Sequence, residues 1–172
     1  NTSILQDGVA AFTTYKSATL EYDTLSEIEH IQATHFDDAV YTENDGYTFL
    51  WSGDDKIYVD AANVNVMPGS GNDEINGLNA ANIKLVYYDD GDSVDGTIAN
   101  VTSGIHVTYS ADGVGLVEND GWGFIDTFTG VHQITGNSLD DRIFGAEGDD
   151  VFSGEAGDDS LRGGAGDDIL EG

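Results

Sequence analysis

The chain has 172 residues and carries 33 acidic side chains against 5 basic ones, a formal net charge of −28. That charge excludes nucleic acid as a partner and argues against an anionic membrane surface, and the absence of cysteine excludes a disulfide framework. No stretch approaches the ~20 apolar residues of a membrane helix and no signal peptide is visible, so membrane insertion is not expected.

Residues 1–35 are expected to form short flanking strands. Segments 9–15 and 19–22 are rich in Thr, Tyr, Phe and Val, whereas 25–31 suits a strand or a loop. Residues 22–41, YDTLSEIEHIQATHFDDAVY, align without gaps on residues 125–144, IDTFTGVHQITGNSLDDRIF. Asp23, Thr24, Ile31, Asp37 and Asp38 recur as Asp126, Thr127, Ile134, Asp140 and Asp141, a duplication with an offset of 103.

Residues 36–79 read as a worn repeat block with beats of aspartate and an apolar residue: Asp38/Val40, Asp55/Ile57 and Asp73/Ile75. Val66 lies nine residues from each of the last two apolar beats. The rung between Asp38 and Asp55 is one residue short, because these two are 17 apart. Residues 80–135 form a spacer. Segments 83–88, 104–109 and 113–117 read as strands, separated by acidic glycine turns such as GDSVDG and ENDGWG.

From Gly136 the chain reads in nines: GNSLDDRIF, GAEGDDVFS, GEAGDDSLR, GGAGDDILE. Gly136, Gly145, Gly154, Gly163 and Gly172 open each nonamer; Asp141, Asp150, Asp159 and Asp168 stand sixth; Ile143, Phe152, Leu161 and Leu170 stand eighth. A period of nine fits neither a helix nor an ordinary strand, and is a solenoid period. Glycines permit tight turns, the last three residues suit a strand, and position eight fills a narrow core. Two nonamers make one coil, and coils stack about 4.8 Å apart. Asp141 would then face Asp159, and Asp150 would face Asp168. Carboxylates that close repel unless a cation lies between them, and hard oxygen ligands suit Ca²⁺. A disordered acidic tail would share the composition but not the apolar column in register.

These nonamers resemble the GGxGxDxUx repeat of the RTX proteins, a Ca²⁺-binding parallel β-helix. The last one, Gly163 to Glu171, matches at every defined position; the other three lack the second glycine, and the first has Leu139 in place of the fourth. The resemblance implies an all-β fold, a parallel β-roll in two blocks with flanking short strands. It also implies extracellular calcium and export by a type I secretion system. Domain expectations follow: flanking strands in 1–35, a degenerate first block in 36–79, a β-rich spacer in 80–135 and a second block in 136–172. The implied ligands in the second block are Asp141, Asp150, Asp159 and Asp168, with turn positions Gly136, Ser138, Gly145, Glu147, Gly154, Gly157, Gly163, Gly164 and Gly166. In the first block calcium is expected along one side, at Asp38, Asp55 and Asp73, with carbonyls from Leu50, Ser52, Gly69 and Gly71. Leu50 and Pro68 depart from the family there, standing where glycine is usual. The other side of that block has Tyr47 and Val64 in the equivalent places and should be held by packing. The first Asp of each pair, at position five, should point to solvent.

His30, His35, His106 and His132 follow no HExxH or comparable spacing, so the chain is read as a non-enzyme. The aromatics Tyr41, Tyr47, Trp51, Tyr58 and Trp122 offer an alternative: a stacking surface for an extracellular glycan or peptide, with Trp51, Tyr47, Tyr58 and Trp122 as ligand-binding candidates. A second alternative is an accessory calcium-binding domain of a secreted hydrolase or epimerase. The main reading is a calcium-triggered structural module within a large extracellular adhesin, surface-layer protein or toxin. The chain is expected to be a piece of that parent, and the rest of the parent to be its partner.

Overall fold

A computed structural model describes residues 5–6, 9–11, 30–43, 45–78, 82–87, 101–110 and 113–172. Among them there is no helix. The strands are β1 (Leu5–Gln6), β2 (Val9–Ala11), β3 (His30–Gln32), β4 (Ala39–Thr42), β5 (Gly46–Phe49), β6 (Lys56–Val59), β7 (Asn63–Met67), β8 (Glu74–Gly77) and β9 (Asn82–Val86). They continue as β10 (His106–Tyr109), β11 (Val114–Asn119), β12 (Asp126–Thr129), β13 (Val131–Thr135), β14 (Arg142–Phe144), β15 (Val151–Ser153), β16 (Ser160–Arg162) and β17 (Ile169–Glu171). Segment 19–22 and most of 25–31, where strands or a loop were expected, lie outside the described residues.

The strands form two sheets. One has the order β1-β2-β3-β5-β7-β9-β13-β15-β17 and the other β16-β14-β10-β11-β12-β8-β6-β4. The chain alternates between them, so β3 to β9 and β13 to β17 wind a parallel solenoid of about seven coils. The alternation follows from the sequence period: alternate side chains of each strand enter the core and their neighbours point outward, one inward residue in the short strands β14 and β15 and two in β6 and β7. Ile31, Val40, Ile57, Val66, Ile75, Leu85, Ile134, Ile143 and Phe152 form that inner column, all buried. Ile31 and Ile134, matched in the duplication read from the sequence, lie on β3 and β13 of the same sheet.

The short rung changes one expected register. Spacing alone places Tyr47 level with Val64, but the sheet pairs Gly46 with Val64 and Tyr47 with Asn65. The missing residue is absorbed in the turn between β4 and β5, because Val40 and the buried Thr48 are eight apart where nine is usual. Tyr47 is therefore turned outward and stacks on His30, with ring centroids 5.2 Å apart. Val64 is buried, so this side of the first block is held by packing.

Both sheets run through from the first block to the second. β9 pairs with β13 and β8 with β12, all parallel. Between β8 and β14 the second sheet holds three strands, β12, β11 and β10, where the first sheet holds only β9 between β7 and β13. The antiparallel pairings β10–β11 and β11–β12 account for the excess. Two extra strands widen that sheet by about 9–10 Å. Large side chains gather beneath them: Tyr87 and Phe128 are buried, and Tyr109 packs edge-on to Phe128 at 5.1 Å. Gly115 on β11 leaves the space that the Phe128 ring occupies, since a Cβ there would collide with the ring.

Candidate metal centre

The turns that lead into strands of the second sheet stack in one column, and those that lead into strands of the first sheet stack in another. In the first column each position-six aspartate reaches back one coil. The Asp38 N–H donates to Asp55 Oδ1 at 2.7 Å, Asp55 N–H to Asp73 Oδ1 at 2.8 Å and Asp73 N–H to Asp126 Oδ1 at 3.0 Å. Beyond the junction the Ile105 N–H donates to Asp141 Oδ1 at 2.6 Å and Asp141 N–H to Asp159 Oδ1 at 2.9 Å. In the return column Asp150 N–H donates to Asp168 Oδ1 at 3.0 Å, so the expected partners Asp141/Asp159 and Asp150/Asp168 are indeed neighbours.

Position five reaches the opposite way. Asp37, Asp54, Asp140 and Asp149 each accept, through Oδ1, a backbone N–H of the following coil, from Asp54, Asn72, Asp158 and Asp167. These carboxylates are exposed, as expected, yet they also clamp the next turn. A DD pair thus ties its turn to both neighbours, one carboxylate in each direction.

The second oxygen of position six is the chemically open one. Oδ2 of Asp55, Asp73, Asp150 and Asp159 is buried and has no hydrogen-bond partner. Asp38 and Asp141 differ: Thr34 N–H and Asn137 N–H, both at position two of their turns, donate to Oδ2 at 2.7 and 2.9 Å. In the second block Oδ2 lies against the glycine that opens its own turn. A Cβ at Gly136, Gly145, Gly154 or Gly163 would collide with the Oδ2 of Asp141, Asp150, Asp159 or Asp168. Position one is glycine there because the carboxylate occupies the place of a side chain. Leu50 instead turns its side chain into the core, fully buried.

The turns are in backbone contact as well. Ser52 bridges Ser70, and Glu147 bridges Ala165. Gly69 and Gly71 abut the carbonyls of Trp51 and Gly53, Gly164 and Gly166 those of Ala146 and Gly148, and Gly157 that of Leu139. Among the described residues no three carboxylates or imidazoles converge on one point. A cation in these turns would therefore draw on one or two carboxylates and on backbone carbonyl oxygens. Orphaned carboxylate oxygens lined up with turn carbonyls are a donor set that fits Ca²⁺.

Burial without a counter-charge raises these carboxyl groups. Desolvation pushes Asp55 up to about 7, with the Asp38 N–H bond pulling against it and Asp38 adding repulsion. Desolvation likewise pushes Asp141 up to about 7, against bonds from Ile105 and Asn137. Asp38, Asp150 and Asp120 are raised for the same first cause. Asp73 and Asp126 are raised by desolvation, and Asp73 also by the charge of Asp126 beside it.

Sequence reasoning missed Asp120 and Asp126, both fully buried, and the contact of His132 with Asp150, 2.9 Å from Nδ1 to Oδ1. Asp126 was visible only as the copy of Asp23. Of the aromatic candidates, Tyr41 and Tyr58 are paired on the adjacent strands β4 and β6, and the others are not brought to them. Tyr47 faces out from the first sheet and Tyr58 from the second, where Lys56 Nζ sits 5.5 Å from its ring centre. Trp51 lies at a turn, packed on Phe49 and His35 at 6.1 and 5.9 Å, and Trp122 lies in the junction turn. His106 pairs with Glu118 at 2.9 Å.

Two face-to-face, largely parallel sheets joined by stacked, carboxylate-lined turns define the class: a β-roll. Residues 135–170 match the family model of the RTX calcium-binding nonapeptide repeat in four copies, and this segment is an RTX repeat array. That repeat family binds Ca²⁺, and the match spans 36 of the 172 residues. A search of curated proteins finds no match to the chain. No helix among the described residues is long and apolar enough to cross a membrane.

Proposed function

We propose that the chain is a calcium-dependent structural module of a large secreted protein, of the adhesin, surface-layer or toxin kind, that folds when it meets extracellular Ca²⁺. The observation behind this reading is the row of buried, unpartnered Oδ2 atoms on Asp55, Asp73, Asp150 and Asp159. A buried carboxylate without a partner is strongly unfavourable, and Ca²⁺ bound by oxygen ligands removes that penalty. The RTX match in residues 135–170 supports export by a type I system. Extracellular calcium modules bind with a Kd of about 10⁻⁴–10⁻³ M, so the turns would stay empty in the cytosol and fill outside. At about ten times Kd each site stabilises by roughly 1.4 kcal/mol, and several sites together reach the margin of an ordinary domain.

The test is far-UV circular dichroism in EDTA and then in millimolar Ca²⁺. The proposal expects a mostly disordered spectrum that converts to β on adding the metal. A full β spectrum in EDTA, unchanged by Ca²⁺, would refute it. A parent with a Sec-type signal peptide would refute the export route alone.

A further inference from the structure

The spacer carries a turn that belongs to no nonamer, yet it occupies the next place in the first column of turns. The end of this turn, residues 125–127, stacks on residues 72 and 73, while Gly121 at its start lies against residues 101–103. The Asp73 N–H donates to Asp126 Oδ1 at 3.0 Å, the Ile125 N–H to Asn72 Oδ1 at 3.2 Å, and the Thr127 N–H to the Asp73 carbonyl at 2.8 Å. Asp126 therefore stands at position six and Ile125 at position five of a coil whose turn is built differently.

Two buried carboxylate oxygens are left over in these turns. Asp73 is 2 % exposed and Asp120 is 0 % exposed, and the Oδ2 of each has no hydrogen-bond partner. Asp126 leaves nothing free, because its Oδ2 accepts the Tyr87 hydroxyl at 2.8 Å. Asp120 is held firmly by its other oxygen. Oδ1 accepts the N–H groups of Trp122, Gly123 and Phe124, each at 2.9 Å. The side chain is thus locked by three donors on one oxygen, with the other buried and bare. Asp120 stands in the same short turn as Asp126, whose Oδ1 accepts the Asp73 N–H, so the turn that holds Asp120 is tied to Asp73. The three N–H bonds satisfy Oδ1 alone, and a second buried anionic oxygen is costly unless something positive joins it.

We infer that the non-repeat turn 120–126 forms a further Ca²⁺ site with turn 68–73, in which Asp73 Oδ2 and Asp120 Oδ2 are the carboxylate ligands. This rests on the calcium reading of the column, but it adds a site outside every nonapeptide and gives the spacer a role: it carries the ion column across the break in the repeat. Hard oxygens, two negative charges and neighbouring backbone carbonyls select a divalent hard cation over a softer transition metal.

The test is the number of Ca²⁺ ions bound per chain, by equilibrium dialysis at the lowest Ca²⁺ that saturates the native chain. Asp120→Asn keeps the Oδ1 that accepts the three N–H bonds and removes the free anionic oxygen. One fewer ion with an unchanged β spectrum is the expected result. An unchanged count in the folded variant overturns the inference and leaves the calcium reading standing. A native chain that binds no Ca²⁺ overturns both. Should Asp120→Asn fail to fold, long-wavelength anomalous diffraction from Ca²⁺-grown crystals of the native chain decides. A calcium peak in contact with Asp120 Oδ2 and Asp73 Oδ2 supports the site, and no peak there overturns it.

Discussion

Stripped of Ca²⁺, the chain should regain β structure as the pH falls from about 8 to about 5. Burial raises Asp55 and Asp141 from 3.8 to about 7, so a proton can neutralise in the folded state what the metal otherwise would. In the unfolded chain these carboxyls ionise near 3.8, so between about pH 4 and pH 7 the folded state holds the extra protons. Their stabilising contribution is complete below the lower value and is lost as the pH rises through the upper one. At 1.36 kcal/mol per unit, a shift of roughly three units costs about 4 kcal/mol for each carboxylate forced to ionise in place. The two together cost about 8 kcal/mol, against a typical domain stability of roughly 5–15 kcal/mol. The assay is far-UV circular dichroism in EDTA across that pH range. The net charge of −28 also relaxes on acidification, so a salt control is needed. About 1 M KCl shortens the screening length to roughly 3 Å and suppresses long-range repulsion, but it leaves burial untouched. If salt at pH 8 restores β structure as fully as acid does, or acid restores none, the argument from buried carboxylates is wrong.

Two substitutions probe the scaffold. Phe128→Ala should cost about 3–5 kcal/mol, because the ring is buried over Gly115 and against Tyr109 where the wide sheet needs filling; thermal unfolding in Ca²⁺ measures it, and a shift near zero would mean that the junction core collapses freely. Gly71→Ala should cost about 1–3 kcal/mol from its φ of 140° alone and more from the collision of its Cβ with the Gly53 carbonyl, raising the Ca²⁺ needed for half-folding; an unchanged calcium midpoint would show that the turns are not stacked this closely.

The second block was legible because every constraint in it repeats within nine residues. Glycine at position one, aspartate at six and an apolar residue at eight are local demands, set by an Oδ2 that folds over its own turn and a side chain that enters the core. The first block was legible only in part, since one lost residue in the turn before β5 moves Gly46 rather than Tyr47 opposite Val64. Spacing cannot say on which side of a strand a deletion is absorbed; the burial of Thr48 settles it. The spacer was legible as strands but not as a continuation of the column. Asp126 follows Asp73 by 53 residues where the interval elsewhere is 17 or 18, and only the parallel pairing of β8 with β12 makes them neighbours.

That long interval also explains why the stabilising chemistry changes at the junction. Within the second block each coil brings its own carboxylates and at most one buried side chain per strand, so the column of turns carries much of the stability. At the junction the second sheet gains two strands over the first. The gap between the sheets can then hold Tyr87, Tyr109 and Phe128, side chains far larger than the usual valine or isoleucine. Tyr87 joins the two systems, since its ring is buried in the core and its hydroxyl donates to Asp126, which in turn accepts the Asp73 N–H. The aromatic core and the acidic column are therefore one structure at this point. Loosening Phe128 should weaken the turns at Asp73 and Asp126 before it disturbs those at Asp159 and Asp168, which stand at the far end of the roll.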